Sequence, residues 1–205
     1  IQVHPDDYYA AINKSGKGKT EAWYVIESEK GASVHIGLKR GFSKPQVKAA
    51  VLAEKLAEKL SFYHTSPGDF FYIPAGTFHS LGAGNVIVEI QQNSDITYRV
   101  YDWGRKVKGK PRELHVDKAL DVYTVNPEAG KKNPAMRKVA PGIGLREYMD
   151  CNYFNARELI FEKNAAYNHE GKGAYIINAV EGSAEIIMSG GKVEKLPKME
   201  PVFMP

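Results

Sequence analysis

Residues 68–79, Gly-Asp-Phe-Phe-Tyr-Ile-Pro-Ala-Gly-Thr-Phe-His, decide the fold of this chain. The apolar run Phe70–Ile73 predicts a strand, and residues 74–76 predict a tight turn directly after it. Proline and glycine bend the backbone sharply at the end of a strand. We therefore expect the turn to aim His79 back toward the mouth of a β-barrel.

Gln2, His4 and Glu21, which all precede His79 in the sequence, could join it in a metal site. Gln2 and His4 are two residues apart on an extended segment, so their side chains point to the same face. Glu21 opens the next predicted strand. The glycine, proline and histidine spacing around His79, with an earlier histidine and glutamate, resembles the two-part motif of the cupin barrels. Two imidazoles, one carboxylate and one amide oxygen suit zinc, and could also hold iron or manganese.

The rest of the sequence favours an all-β fold. Residues 44–60 have the apolar period of a helix, with a proline near the start, and residues 114–122 predict a short second helix. Residues 21–27 and 31–38 predict two strands joined as a hairpin around residues 29–31. The other predicted strands are residues 86–92, 97–101, 153–162, 174–180 and 183–188.

The second half of the sequence repeats the first, which predicts a duplicated barrel. Residues 22–26 (Ala-Trp-Tyr-Val-Ile) resemble residues 174–178 (Ala-Tyr-Ile-Ile-Asn), and residues 69–74 are echoed by residues 200–205. The fold class that we predict is an all-β, duplicated cupin (jelly-roll) β-barrel with a helical insertion in the first barrel. The second copy is degenerate, because Gly173 stands where the first copy has Glu21.

Three segments follow from this duplication. We predict a metal-binding catalytic cupin domain over residues 1–125, a linker over 126–149 and a degenerate second cupin domain over 150–205. The sequence begins and ends in strand-like runs. We therefore expect it to be part of a longer protein, with the first strands of the first barrel and the last strands of the second lying outside it.

Several blocks of the sequence resemble type I mannose-6-phosphate isomerase in its short bacterial form. The resemblance is strong over residues 1–125, whereas residues 150–205 match only as that family's degenerate second cupin. The blocks are residues 1–7 (Ile-Gln-Val-His-Pro-Asp-Asp), 18–24 (Gly-Lys-Thr-Glu-Ala-Trp-Tyr), 74–79 (Pro-Ala-Gly-Thr-Phe-His), 91–95 (Gln-Gln-Asn-Ser-Asp) and 98–105 (Tyr-Arg-Val-Tyr-Asp-Trp-Gly-Arg).

The resemblance implies an isomerase that interconverts mannose 6-phosphate and fructose 6-phosphate with one zinc ion. It implies catalytic roles for Arg99 and Lys19, and phosphate binding by Lys19 and Arg105, where Arg105 replaces a lysine found in some members. A fixed guanidinium at Arg99 would stabilise the enediolate oxygen as its charge develops. The base that moves the proton stays open between Lys19, a group beside His79 and a metal-bound water. The zinc ligands implied are Gln2, His4, Glu21 and His79.

The composition limits the class of partner. With 205 residues, 43% hydrophobic and 25% charged, the sequence is that of a globular protein. The net charge of +4 is too mild for a nucleic-acid binder but fits a small anionic ligand such as a phosphate. No stretch approaches the roughly 20 apolar residues of a membrane helix. The single cysteine, Cys151, excludes an internal disulfide and favours a cytoplasmic location.

Two other functions compete with the isomerase. The first is a sugar-phosphate-binding cupin without catalysis, or a truncated relic, which the expected absence of the first strands favours and which the complete metal set and Arg99 oppose. For Lys19 alone, the alternative is a solvated loop lysine. The second is a metal-cupin oxygenase, which would need an open iron site with three protein ligands. Gln2, as a fourth ligand, counts against the oxygenase.

Overall fold

The computed structural model describes residues 1–162, 165–169 and 173–204, and it is mostly β-sheet with few helices. Pro205, the last residue of the sequence repeat, lies outside the described residues. Among the helices that are described, none combines the length and the apolar character needed to cross a bilayer. The elements in chain order are β1 (Gln2–Val3), α1 (Asp7–Ile12), β2 (Glu21–Ser28), β3 (Ser33–Leu38), α2 (Lys44–Leu52), α3 (Leu56–Lys59), β4 (Leu60–His64), β5 (Phe70–Ile73), β6 (His79–Leu81), β7 (Asn85–Gln91), β8 (Tyr98–Arg99), β9 (Lys106–Val107), β10 (Lys110–Pro111), α4 (Val116–Val122), β11 (Gly130–Lys132), β12 (Arg137–Ala140), β13 (Ile143–Asp150), β14 (Asn155–Phe161), β15 (Tyr175–Ile177), β16 (Ala184–Ile187), β17 (Val193–Leu196) and β18 (Val202–Met204).

The chain forms two compact units. The first contains residues 1–139 and 144–160, and the second contains residues 140–143 and 161–205. In the first unit, a five-stranded sheet has the order β4-β3-β6-β1-β8, and a four-stranded sheet has the order β11-β5-β2-β7. In the second unit, β15 pairs with β18 and β16 pairs with β17, both antiparallel.

The two large sheets of the first unit share one apolar core. Alternation along each strand turns every second side chain toward the facing sheet. The four-stranded sheet contributes Trp23, Val25, Phe71 and Ile73, and the five-stranded sheet contributes Val34 and Ile36, all of them buried. This core fixes the inner faces of both sheets, which also carry the polar residues of the site.

The outer faces of the two sheets are covered differently. Val3 and Tyr98 pair across β1 and β8 and belong to a second core, which also includes residues of α2, α3 and α4. On the four-stranded sheet, Phe70 stacks on Tyr148 of β13, with ring centroids 4.4 Å apart. The backbone around the site is therefore packed on both sides.

The hairpin predicted around residues 29–31 is wrong. Strands β2 and β3 belong to different sheets, since β2 pairs with β5 and β7 while β3 pairs with β4 and β6. The turn carries the chain from one sheet to the other. Two consecutive apolar strands with a glycine between them have the same pattern whether they pair with each other or face each other.

The helix predicted over residues 44–60 is two helices and the start of a strand. Helix α2 ends at Leu52, and Glu54 adopts a left-handed φ of 58°. The Lys55 amide donates to the Ala50 carbonyl at 2.8 Å and closes the end of the helix. The apolar period continues through the break because α3 packs its Leu56 into the same core.

Residues 126–149, predicted as a linker, contain strands β11 and β12 and most of β13. Strand β11 extends the four-stranded sheet by pairing with β5, where Gly130 lies opposite Tyr72. Gly130 has a φ of 118°, a conformation that favours glycine. This glycine is therefore part of a strand with an unusual backbone angle and does not mark a linker. Residues 144–160 pack with the first unit, whereas the sequence placed residues 150–160 in the second domain.

Candidate metal centre and its arginine cavity

Three adjacent strands bring three of the predicted site residues into one row. Gln2 on β1 lies opposite His79 on β6 and, on its other side, opposite Arg99 on β8. Residues directly opposite in a sheet point to the same face. The side chains of Gln2, His79 and Arg99 therefore share the inner face of the five-stranded sheet.

The facing sheet supplies the carboxylate. Glu21, the first residue of β2, is fully buried, with its Oε1 3.1 Å from the Nε2 of His79 and its Oε2 3.4 Å from the Nε2 of His4. Potential ligand atoms of His4, Glu21 and His79 all lie within 4.8 Å of one another. The Nε2 of Gln2 lies 3.1 Å from the Nε2 of His79, so its carboxamide borders the same group.

The turn before His79 is held by the segment that follows β1 and carries His4. The Gly76 amide donates to the His4 carbonyl at 2.8 Å, and the Gly76 carbonyl accepts from the Thr124 amide at 2.8 Å. Gly76 has a φ of 82°, and a Cβ there would lie 2.6 Å from the Thr124 hydroxyl. Only glycine fits this close approach, so residues 74–76 fix the two histidines relative to each other.

The Nδ1 hydrogen bonds of both histidines leave Nε2 as the atom that could bind a cation, although the Nε2 of His79 also lies within hydrogen-bond distance of the Gln2 amide. The Nδ1 of His4 donates to the Ile96 carbonyl at 2.6 Å, and the Nδ1 of His79 donates to the Thr77 carbonyl at 2.9 Å. An imidazole that donates from Nδ1 presents a lone pair at Nε2, which is the usual arrangement in metal sites. The Nε2 of His4 and both carboxylate oxygens of Glu21 are buried without a hydrogen-bond partner. A divalent cation would satisfy all three atoms.

The charge states favour the same occupant. Burial lowers the pKa of His4, which keeps that imidazole neutral. Burial raises the pKa of Glu21, but the neighbouring His79 and His4 lower it by more, so its net pKa lies below the usual range. An ionised carboxylate beside the neutral imidazole of His4 belongs to the donor set that zinc takes.

Lys19 reaches the centre through Glu21. Its Nζ lies 3.1 Å from Glu21 Oε2 and 3.5 Å from Glu89 Oε1, and the residue is buried. Glu89 Oε2 also accepts a hydrogen bond from the Trp23 indole at 3.0 Å. Lys19 is thus held by two carboxylates, unlike the exposed Lys14 and Lys17 of the same loop.

Gly18 lets this loop pass close to the first helix. The Gly18 amide donates to Asp7 Oδ1 at 2.8 Å, and a Cβ on Gly18 would lie 2.4 Å from the backbone nitrogen of Asp7. A Cβ at that distance would force one of the two backbone segments to shift, which would destabilise the fold. The loop that places Lys19 and Glu21 therefore depends on a glycine.

We expect Gly18→Ala to lower the free energy of unfolding by about 1–3 kcal/mol, because overpacking against a fixed backbone costs that much. Urea unfolding measures the change. Lys17→Ala, which alters an exposed side chain next to it, is the matched control and is expected to stay within about 0.5 kcal/mol of the parent. Equal effects of the two substitutions would contradict the close approach.

A cavity of about 150 Å³ opens beside the centre. Its lining includes Gln2 and His79 together with three arginines: Arg99, Arg105 and Arg112. The Arg99 guanidinium donates from Nη1 to the Glu113 carbonyl at 3.3 Å, and within the described part of the chain no carboxylate pairs with it. Lys19 is not among the residues that line this cavity.

Arg105 and Arg112 are both paired with Asp102. Arg105 Nη2 lies 2.7 Å from Asp102 Oδ1, and Arg112 Nε donates to Asp102 Oδ2 at 2.6 Å. Sequence reasoning did not select Arg112 or Asp102. The pair becomes recognisable only once the chain reversal between Asp102 and Arg112 is known.

Comparisons with known proteins find relatives of this chain, although no family model matches it. The chain is 34% identical to the mannose-6-phosphate isomerase ManA of Bacillus subtilis, over 100% of this chain and 64% of that protein. It is 36% identical to the probable mannose-6-phosphate isomerase GmuF of the same organism, over 95% of this chain and 61% of that protein. The chain thus spans less than two thirds of the length of these relatives.

Solved structures of mannose 6-phosphate isomerases also match the chain. The crystal structure of the mannose 6-phosphate isomerase from Bacillus subtilis matches with a TM-score of 0.81 and 32% identity, covering 100% of this chain and 65% of that one. A mannose 6-phosphate isomerase bound with zinc and yttrium matches with a TM-score of 0.64 at 13% identity, over 98% of this chain and 70% of that one. The second match shows likeness of fold alone.

Proposed function

We propose that this chain, which is homologous over its whole length to the mannose-6-phosphate isomerases, provides the metal site of an enzyme that interconverts mannose 6-phosphate and fructose 6-phosphate. One observation carries the proposal. A buried His4–Glu21–His79 group with unpartnered donor atoms borders a cavity lined by three arginines. A sugar phosphate has hydroxyl or carbonyl oxygens for a cation and a dianion for guanidinium groups.

The metal that we propose is one zinc ion per chain, held by His4, Glu21 and His79 with Gln2 as fourth ligand. Zinc prefers four nitrogen and oxygen ligands in tetrahedral geometry, and iron or manganese would accept the same atoms. The ion would supply Lewis-acid stabilisation to the substrate oxygens that gain charge.

Residues of the chain have separate tasks in this proposal. The isomerisation moves a proton between C1 and C2 and places negative charge on an oxygen. Arg99 would donate hydrogen bonds to that oxygen from its position beside Gln2 and His79 on the inner face of the five-stranded sheet. Lys19, buried against Glu21, would hold or release a proton at Nζ at the metal centre. Arg105, which also lines the cavity, would bind the phosphate.

The finer architecture is part of the proposal. We propose a first cupin barrel with a helical insertion, α2 and α3 between β3 and β4, followed by a degenerate second copy. The pairing of β15 with β18 supports duplication, because their counterparts β2 and β5 also pair antiparallel, although the register differs by two residues. Strands β16 and β17 are joined by residues 188–192 with no helix between them. A cytoplasmic location stays a prediction.

The test is an assay of the full-length protein. We expect zinc-loaded protein to form fructose 6-phosphate from mannose 6-phosphate, to lose this activity with a chelator and to regain it with zinc. Arg137→Gln, on an exposed ion pair with Glu147, is the control that should match the parent. Binding of the sugar phosphate without turnover would favour the non-catalytic cupin, and oxygen uptake with an iron-loaded protein would favour the oxygenase.

A further inference from the structure

Asp102 holds two guanidinium groups together at the edge of the cavity. It is only 6% exposed. Its Oδ1 accepts from Arg105 Nε at 3.1 Å and from Arg105 Nη2 at 2.7 Å. Its Oδ2 accepts from Arg112 Nε at 2.6 Å, and Arg112 Nη2 also donates to Oδ1. These contacts, with that of Arg112 first, lower the pKa of Asp102 to about 2.

This arrangement leaves donors that point away from the carboxylate. A guanidinium has five N–H donors in a planar fork. Arg105 and Arg112 each use two N–H groups on Asp102, so three remain on each. Because both forks are anchored by the same carboxylate, their remaining donors lie in a fixed relation to each other.

The charge of the cavity is not balanced by its own residues. Three arginines line it, and Asp102 offsets one of the three positive charges. Arg112 is the less exposed of the two arginines on Asp102, with a side chain 35% exposed against 61% for Arg105. A dianion would complete the charge of this group, and a phosphate oxygen accepts from guanidinium forks in bidentate geometry.

We propose that Arg112 is a phosphate-binding residue of this cavity and acts beside Arg105, with Asp102 as the positioning residue that holds both forks. The proposal rests on the proposed function for the identity of the phosphate carrier, a six-carbon sugar phosphate. The centre at His79 and the pair on Asp102 then occupy different parts of one cavity. The substrate would be bound by its phosphate at one place and by its reacting oxygens at the other.

The experiment compares Arg112→Ala, Arg112→Lys and the control Arg137→Ala in zinc-loaded, full-length protein. We expect Arg112→Ala to raise KM for mannose 6-phosphate by about 10- to 100-fold with little change in kcat, because charge-assisted hydrogen bonds to a ground-state group are lost. The inhibition constant of inorganic phosphate should rise by a similar factor. Arg112→Lys should recover part of the loss, since it keeps the charge without the fork.

A second readout separates this proposal from the proposed function. Calorimetric titration with inorganic phosphate needs no turnover, so it reports on Arg112 even if the protein does not isomerise sugars. Weaker phosphate binding by Arg112→Ala and by Arg112→Lys, at unchanged zinc content, supports the site. Phosphate affinity equal to that of the parent overturns it. A loss of zinc or of folded structure in both variants, with phosphate affinity unchanged per folded molecule, also overturns it and makes Arg112 a structural residue.

Discussion

Replacing Glu21 with glutamine is expected to weaken zinc binding by about 10²- to 10³-fold. Structural zinc sites bind with apparent free energies of about 10–16 kcal/mol, which is roughly 2.5–4 kcal/mol for each of four ligands. Glutamine keeps the size of the side chain but removes its charge. Equilibrium dialysis with elemental analysis measures the change. Activity should fall with zinc occupancy and recover in part at high zinc concentration.

The stability of the protein gives an independent measure of the same site. Zinc at about 1,000 times the dissociation constant stabilises the folded state by about 4 kcal/mol. At that concentration Glu21→Gln should gain only about 1 kcal/mol. The free energy of unfolding of each protein without zinc is the baseline for this gain, because the substitution also alters the buried ion pair of Glu21 with Lys19.

Glu27→Gln is the matched control for this experiment. Glu27 lies on the same strand, β2, but is exposed. We expect it to bind zinc like the parent and to gain the same stability from it. If Glu21→Gln and Glu27→Gln were indistinguishable in zinc affinity, the centre would have to lie elsewhere.

The grouping of His4, Glu21 and His79 could be predicted because their spacing resembles the cupin motif, although it is formed by the pairing of β1 with β6 and by the facing strand β2. The period of two along a strand and the turn at residues 74–76 predict where these side chains point. The predicted strand over residues 70–73 coincides with β5. The resemblance to a known family adds the role of Arg99, which no spacing could supply.

Features that depend on distant contacts were not predictable. The two strands around residues 29–31 face each other across the core, because pairing partners arrive from β5, β7, β4 and β6 later in the chain. Arg112 reaches Asp102 because the short β9–β10 pair reverses the chain, with Lys108 and Gly109 at positive φ. Charged residues between Asp102 and Arg112 look in sequence like an ordinary solvated loop. Only the fold distinguishes the paired arginines from the others.

Arg99 differs from the other two arginines of the cavity in its position and in having no carboxylate partner among the described residues. It lies opposite Gln2, and Gln2 lies opposite His79, so one row connects the guanidinium to the metal centre. Arg105 and Arg112 are paired with Asp102, whereas Arg99 donates to a backbone carbonyl, that of Glu113. A guanidinium without a counter-charge beside a Lewis-acid site is suited to an oxygen that gains charge during the reaction.

We therefore expect Arg99→Ala to lower kcat by about 10²- to 10³-fold, or roughly 3–4 kcal/mol, which is the usual cost of losing one preorganised donor to a developing oxyanion. Zinc content and unfolding midpoint should stay near those of the parent, because β8 pairs through its backbone. Arg99→Lys should recover only part of kcat, since a point charge does not reproduce the fork. The exposed Arg40→Ala is the control. Steady-state kinetics of the zinc-loaded, full-length protein decide the matter, and an Arg99→Ala enzyme that turns over mannose 6-phosphate at the parent rate would reduce Arg99 to a lining cation.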